Sequence, residues 1–100
     1  MPGKKRSISF ALSAVEDLED IRAWYDKQQA PDVGCRLISE IVAKVEKLVD
    51  FPESGRIVPE LGIANLREII HPPFRIVYRL DSNKIRLVRV CRSEQLLKLP

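Results

Sequence analysis

The stretch Leu66-Arg67-Glu68-Ile69-Ile70-His71-Pro72-Pro73-Phe74-Arg75-Ile76-Val77-Tyr78-Arg79-Leu80-Asp81 decides the fold. β-Branched and aromatic residues dominate it on both sides of a proline pair, which predicts two strands joined by a turn. Phe74, Ile76, Tyr78 and Leu80 alternate with Arg75, Val77 and Arg79, so the second strand has one apolar face and one face carrying cations. Arginines threaded through an apolar strand are costly unless they face water, a partner or a polyanion. They are the first candidates for function.

Downstream, Asp81-Ser82-Asn83 has hairpin-turn chemistry. Ile85, Leu87, Val88 and Val90 then make a strand that is apolar on both faces, as a central or bulged strand would be. The expected strands cover 65–70, 74–80 and 84–91, with a short terminal turn or helix over 92–97. Upstream, residues 51–62 form a turn-rich connector of prolines and glycines.

The first half reads as helical after a short strand over 5–10 that contains Ile8 and Phe10. Ser13 fits a helix N-cap, and Glu16 three residues later would complete a capping box. Glu16, Asp17, Glu19 and Asp20 suit the positive end of the helix dipole. Val15, Leu18, Ile21 and Trp24 or Tyr25 recur at helical spacing, predicting a helix over 14–27. Pro31 permits a second start, and the helix predicted over 31–49 carries a main stripe of Leu37, Ile41, Val45 and Leu48. Ile38, Val42 and Val49 widen that stripe, which implies contact on two sides, the sheet and a partner. The short connection makes the pair an antiparallel hairpin. The whole is an α+β domain in the order β-α-α-β-β-β, the N-terminal strand followed by a helical hairpin packed on one face of a mostly antiparallel sheet.

At 100 residues the chain makes a single domain, 1–100, of ordinary globular composition. No apolar run approaches the roughly 18 residues of a membrane span, and no signal-peptide core is present, so the expected location is the cytoplasm. Residues 1–50 hold eight Lys/Arg and nine Asp/Glu, a net charge of −1, whereas 51–100 hold nine and five, a net charge of +4. The basic excess in the C-terminal half suggests an acidic partner, nucleic acid or protein. Cys35 and Cys91 read as buried free thiols, and one histidine without paired cysteines speaks against a zinc or iron–sulfur site. No metal or cofactor is expected.

Taken together, these residues resemble toxins of the RelE/ParE superfamily of bacterial type II toxin–antitoxin systems. The carriers are Ala14-Val15-Glu16-Asp17-Leu18-Glu19-Asp20-Ile21, Phe51-Pro52-Glu53-Ser54-Gly55-Arg56, Leu66-Arg67-Glu68, Phe74-Arg75-Ile76-Val77-Tyr78-Arg79-Leu80 and the strand from Ile85 to Val90. No single motif is diagnostic; their order and spacing are. The resemblance implies a compact microbial-RNase-like fold and a cognate antitoxin that lays a helix in the helical-hairpin groove. It also implies that the antitoxin has a DNA-binding part of the ribbon-helix-helix type, and it connects such pairs with plasmid stabilisation and growth arrest. Ile38, Val42 and Val49 are the residues of this chain that such a helix would cover.

The superfamily divides into ribosome-dependent mRNA endonucleases, RelE-like, and poisons of DNA gyrase, ParE-like. Cutting RNA by 2′-hydroxyl attack needs a base, charge stabilisation at the phosphate and a leaving-group acid. RelE-like members supply these from strand lysines and arginines with a histidine or tyrosine near the C-terminus. Here no histidine or tyrosine follows Tyr78, and Arg92 stands where many relatives carry histidine. An arginine stabilises a phosphate but does not exchange its proton at neutral pH. The ParE-like branch, which catalyses nothing itself, is therefore favoured. The alternatives are a RelE-like nuclease using Arg67, Glu68, His71, Arg75 and Arg92, or a non-toxic homologue that only binds antitoxin.

For target binding the candidates are Arg67, Arg75, Arg79, Arg89 and Arg92, on the expectation that alternating strands bring them to one sheet face. The plainer reading makes them charged gatekeepers and partners of helix acids. His71 beside the prolines reads more simply as an exposed turn residue, Tyr78 as core, and Glu68 beside Arg67 as one half of a surface ion pair.

Overall fold

A computed structural model describes residues 6–94. The first strand, β1, is Ser7–Phe10, and the chain passes from it into helix α1, Leu12–Lys27, with one residue between. That residue, Ala11, donates its N–H to Leu87 O at 2.9 Å, continuing the strand ladder, while its carbonyl accepts from Ala14 and Val15. The helix thus starts two residues earlier than its sequence suggests, with Ala11 as an N-cap that makes no side-chain bond. The capping box from Ser13 to Glu16 does not form, because Ser13 already lies in the first turn and its hydroxyl donates to Val88 O at 2.7 Å.

Helix α1 ends in a Schellman turn: Gln29 N–H bonds Asp26 O, Ala30 N–H bonds Tyr25 O, and Gln29 takes a left-handed φ of 58°. Pro31 opens helix α2, Pro31–Lys47. The helices cross closely at Gly34, where a Cβ would lie 2.9 Å from Tyr25 Cβ. Leu37, Ile41, Val45 and Leu48 are buried as the stripe predicts. The helix stops short of Val49, since Leu48, Val49 and Asp50 bond back three residues and tighten the chain into turns.

The connector contains a strand too short to read from sequence, β2, Arg56–Ile57. Three longer strands follow: β3, Leu66–His71; β4, Phe74–Leu80; and β5, Lys84–Arg92. Pro72 and Pro73 make the β3–β4 turn around a cis peptide, and Asp81 N–H bonds Lys84 O to close the β4–β5 hairpin. The terminal turn or helix expected over 92–97 lies mostly outside the described residues; within them, Arg92 closes β5 and a turn follows.

The sheet runs in the order β1-β5-β4-β3-β2, with β1 parallel to β5 and every other pairing antiparallel. Strand β5 is central and bulged, as its two apolar faces predict: Val77 pairs with Arg89 and Tyr78 with Leu87, leaving Val88 as the extra residue. Both helices cover one face, over a core of Ala14, Ile21, Ile41, Val45, Ile76 and Leu87 that continues through Leu48, Tyr78 and Ile85. Complete burial of an aliphatic side chain stabilises by about 1.5–3 kcal/mol, so these contacts dominate the fold. The other face, called outer below, is partly roofed by the connector, whose Val58 packs with Leu66 of β3 and Val77 of β4. The α+β architecture is the one expected. No described helix is long and apolar enough to cross a membrane.

Candidate functional site

Strand pairing sorts the arginines before any chemistry is considered, because directly opposed residues project to the same side of a sheet. Arg75 and Arg79 share the outer face with Val77. Arg67 lies opposite Tyr78 and Arg92 opposite Phe74, which puts both on the helix side. Arg89 sits at the edge of β5 beyond the end of β1. The expected convergence of Arg67, Arg75, Arg79, Arg89 and Arg92 on one face is therefore absent.

Arg75 is 5 % exposed and held by two carboxylates. Its Nη1 and Nη2 donate to Glu60 Oε2 and Oε1 at 2.7 and 2.8 Å, and Nε donates to Glu68 Oε1 at 2.7 Å. The Glu60 fork, with Glu68 behind it, holds the guanidinium charged well beyond its ordinary range despite burial. Glu68 also accepts from Arg56 Nε at 2.6 Å. Glu68 is 1 % exposed, so it belongs to a buried network and not to the surface pair expected from its neighbour Arg67. The reason is alternation: Arg67 and Glu68 point to opposite faces.

Arg67 donates from Nη1 to Gly55 O at 3.1 Å, while its buried Nε meets no partner among the described residues. Tyr78 is core, as expected; its hydroxyl donates to Pro52 O at 2.7 Å and accepts from Gly55 N–H at 3.1 Å. Burial pushes its phenol pKa up. Gly55 has no room for a side chain, since a Cβ would lie 2.6 Å from that hydroxyl and 2.7 Å from Glu68 O. His71 is the last residue of β3 and not an exposed turn residue: Nε2 lies 2.9 Å from Glu40 Oε1 of α2, with the ring 18 % exposed. Within the α2 face, Ile38, Val42 and Val49 are each half-buried, and Ile38 also touches the main core.

Several residues of consequence carried no local signal. Asp17 reaches the open edge of β5, where its carboxylate accepts from Arg89 Nε and Nη2 at 2.9 and 2.8 Å and from Val90 N–H at 2.8 Å. It takes the place that a further residue of β1 would fill, and its hydrogen bonds, with its charge behind them, hold the Arg89 pKa up. Arg92 pairs with Glu94 at 2.7 Å and Arg79 with Asp81 at 3.4 Å. Between α1 and the end of β5 lies a groove of about 490 Å³, bordered by Ile21, Tyr25, Phe74, Arg92 and the half-exposed Trp24. Cys91 is partly buried, which raises its thiol pKa, but Cys35 is exposed on α2 and does not fit the buried reading.

A family model described as the ParE toxin of the type II toxin–antitoxin system, parDE, matches residues 8–97. The chain belongs to this toxin family. A Sinorhizobium fredii protein named "Putative toxin Y4kP" is 29 % identical over 93 residues, spanning 91 % of this chain and 92 % of its own. Among solved structures, the chromosomal ParDE system of P. aeruginosa contains a chain that superposes with a TM-score of 0.76 at 23 % identity, covering 90 % of this chain and 98 % of that one. The RelBE2 toxin–antitoxin complex of Mycobacterium tuberculosis gives 0.65 at 17 %, covering 89 % and 99 %. The E. coli DinJ-YafQ toxin–antitoxin complex gives 0.65 at 12 %, covering 95 % and 100 %. At these identities the structural likeness establishes the shared fold, and the ParE family assignment rests on the sequence model.

Proposed function

We propose that this ParE-family protein arrests growth in the cytoplasm by binding DNA gyrase and stabilising its cleaved DNA complex, and that a cognate antitoxin neutralises it by direct contact. One observation carries the choice of a binding toxin over a nuclease. Arg75, the strand arginine best placed to hold a phosphate, is buried between Glu60 and Glu68. The groups that would have to move protons beside it are engaged elsewhere. His71 is on the helix side against Glu40, and the Tyr78 hydroxyl is fully used by Pro52 and Gly55. Cleavage by 2′-hydroxyl attack needs a base, an acid and an available cation within reach of one phosphate.

Binding by the antitoxin is supported by α2. Ile38, Val42 and Val49 leave a half-buried apolar strip beside the hairpin, the kind of surface an amphipathic helix covers. A ribbon-helix-helix type of partner is the form consistent with the parDE family. The decisive test incubates the purified protein with gyrase and supercoiled plasmid, and in parallel with ribosomes translating a defined mRNA. Trapped, cleaved plasmid is expected. Cleavage of the transcript in the ribosomal A site, with the plasmid untouched, would replace this reading by the nuclease one.

A further inference from the structure

The outer face of the sheet holds two guanidiniums outside the buried Arg56–Glu68–Arg75–Glu60 network. Arg79 on β4 stands directly opposite Arg86 on β5, and the same row continues through Ser9 on β1 and Leu66 on β3. Like charges directly opposite on neighbouring strands repel each other. Arg75, Arg56, Arg89 and Arg92 each have a carboxylate within 2.8 Å. Arg86 instead donates from Nη1 to the Ser9 hydroxyl at 3.2 Å and meets no carboxylate among the described residues. Arg79 reaches Asp81 at 3.4 Å, with side chains 49 % and 35 % exposed, which is a weak surface pair.

The two cations border a groove of about 370 Å³. Half-buried Val88 lines it with apolar surface over the buried Leu66, Ile63 stands 48 % exposed beside them, and Asn65 completes the rim. An apolar groove flanked by two guanidiniums matches a ligand that is negative at one point and greasy at the next. We propose that this groove binds an extended peptide segment of a partner protein, seating a carboxylate between Arg79 and Arg86 and the neighbouring apolar side chain against Leu66 and Val88. Nucleic acid fits less well: polyanion binding draws on a longer row of free cations, and no aromatic ring lines the groove to stack a base. The site lies across the sheet from the α2 strip, so it stands apart from the antitoxin reading, while Arg79 is shared with the target-binding candidates.

The test is an NMR titration of the full chain with three probes: an acetylated and amidated hexapeptide alternating Glu with Leu, the same peptide with Gln for Glu, and a short oligothymidylate. Saturable binding of the Glu peptide is expected, with shifts concentrated at Arg79, Arg86 and Val88. Arg86→Gln and the Gln peptide should each weaken binding about tenfold, the loss of one charge-assisted hydrogen bond. Arg36→Gln, on α2 and paired with Glu40, should bind as the parent does. An unchanged thermal transition separates lost binding from lost fold, and should Arg86→Gln fail to fold, the more exposed Arg79→Gln carries the same comparison. Absence of saturable binding, equal affinity for the Gln peptide, or indifference to both substitutions overturns the proposal. Displacement by the oligothymidylate also overturns it and assigns the groove to nucleic acid.

Discussion

Arg75 and Arg79 sit four residues apart on one strand face, yet their removal should have opposite consequences. Truncating Arg75 leaves Glu68, buried at 1 % exposure, with Arg56 as its remaining cation. Arg75→Ala is therefore expected to lose about 3–5 kcal/mol, because the buried Glu68 carboxylate loses one of its two cations. Arg79→Ala should change stability by no more than about 0.5 kcal/mol, as surface substitutions do. Urea unfolding of the two variants reads the difference, and comparable losses would contradict the buried network. A toxicity defect in Arg75→Ala must accordingly be judged against its folded fraction. The positions of these arginines were legible in the sequence, but their carboxylates were not. Glu60 and Asp17 meet their arginines across separations of 15 and 72 residues, which no local pattern encodes. Glu40 offers a pH handle at the same scale. The hydrogen bond from His71, aided by Arg36, holds its carboxyl below the usual 4.5. Its contribution is fully present above that unfolded value and is lost as pH falls through the lower folded one. Glu40→Gln should flatten the stability profile below about pH 4.5, checked by denaturation midpoints measured across that range.

Among the elements, α2 carries the clearest division between structure and recognition. Leu37, Ile41, Val45 and Leu48 face the core, while Val42 and Val49 keep part of their surface in solvent. Val42→Asp with Val49→Asp should leave the chain folded and weaken the cognate antitoxin by at least about tenfold, the scale of one truncated hot spot. Calorimetric titration against that antitoxin decides the matter; an unaltered dissociation constant would remove the strip from the interface. Helix and strand periodicities were the most readable features, and β4 matches its predicted span to the residue. Boundaries failed where tertiary pairing overrode local preference. The capping box looked sound in isolation, but β1 runs straight into α1 and leaves Ser13 nothing to cap. Strand β2 was unreadable because two residues, Arg56 and Ile57, have no period.

For the whole molecule, the sheet order β1-β5-β4-β3-β2 has a consequence for how the protein comes into being. The first strand, β1, finds its neighbour in the last, β5, where Ser7 lies beside Lys84, so the pairing joins distant parts of the sequence. Until Lys84–Arg92 has been made, β1 has no strand beside it, and α1 lacks the strand it packs on most extensively. Domains fold as units when their contacts become available, and long-range pairing waits for the most distant partner. A sheet built this way cannot assemble piecemeal as the chain leaves the ribosome. A chain that stops before β5 lacks the strand that joins β1 to β4, so the finished sheet exists only once Lys84–Arg92 has been made.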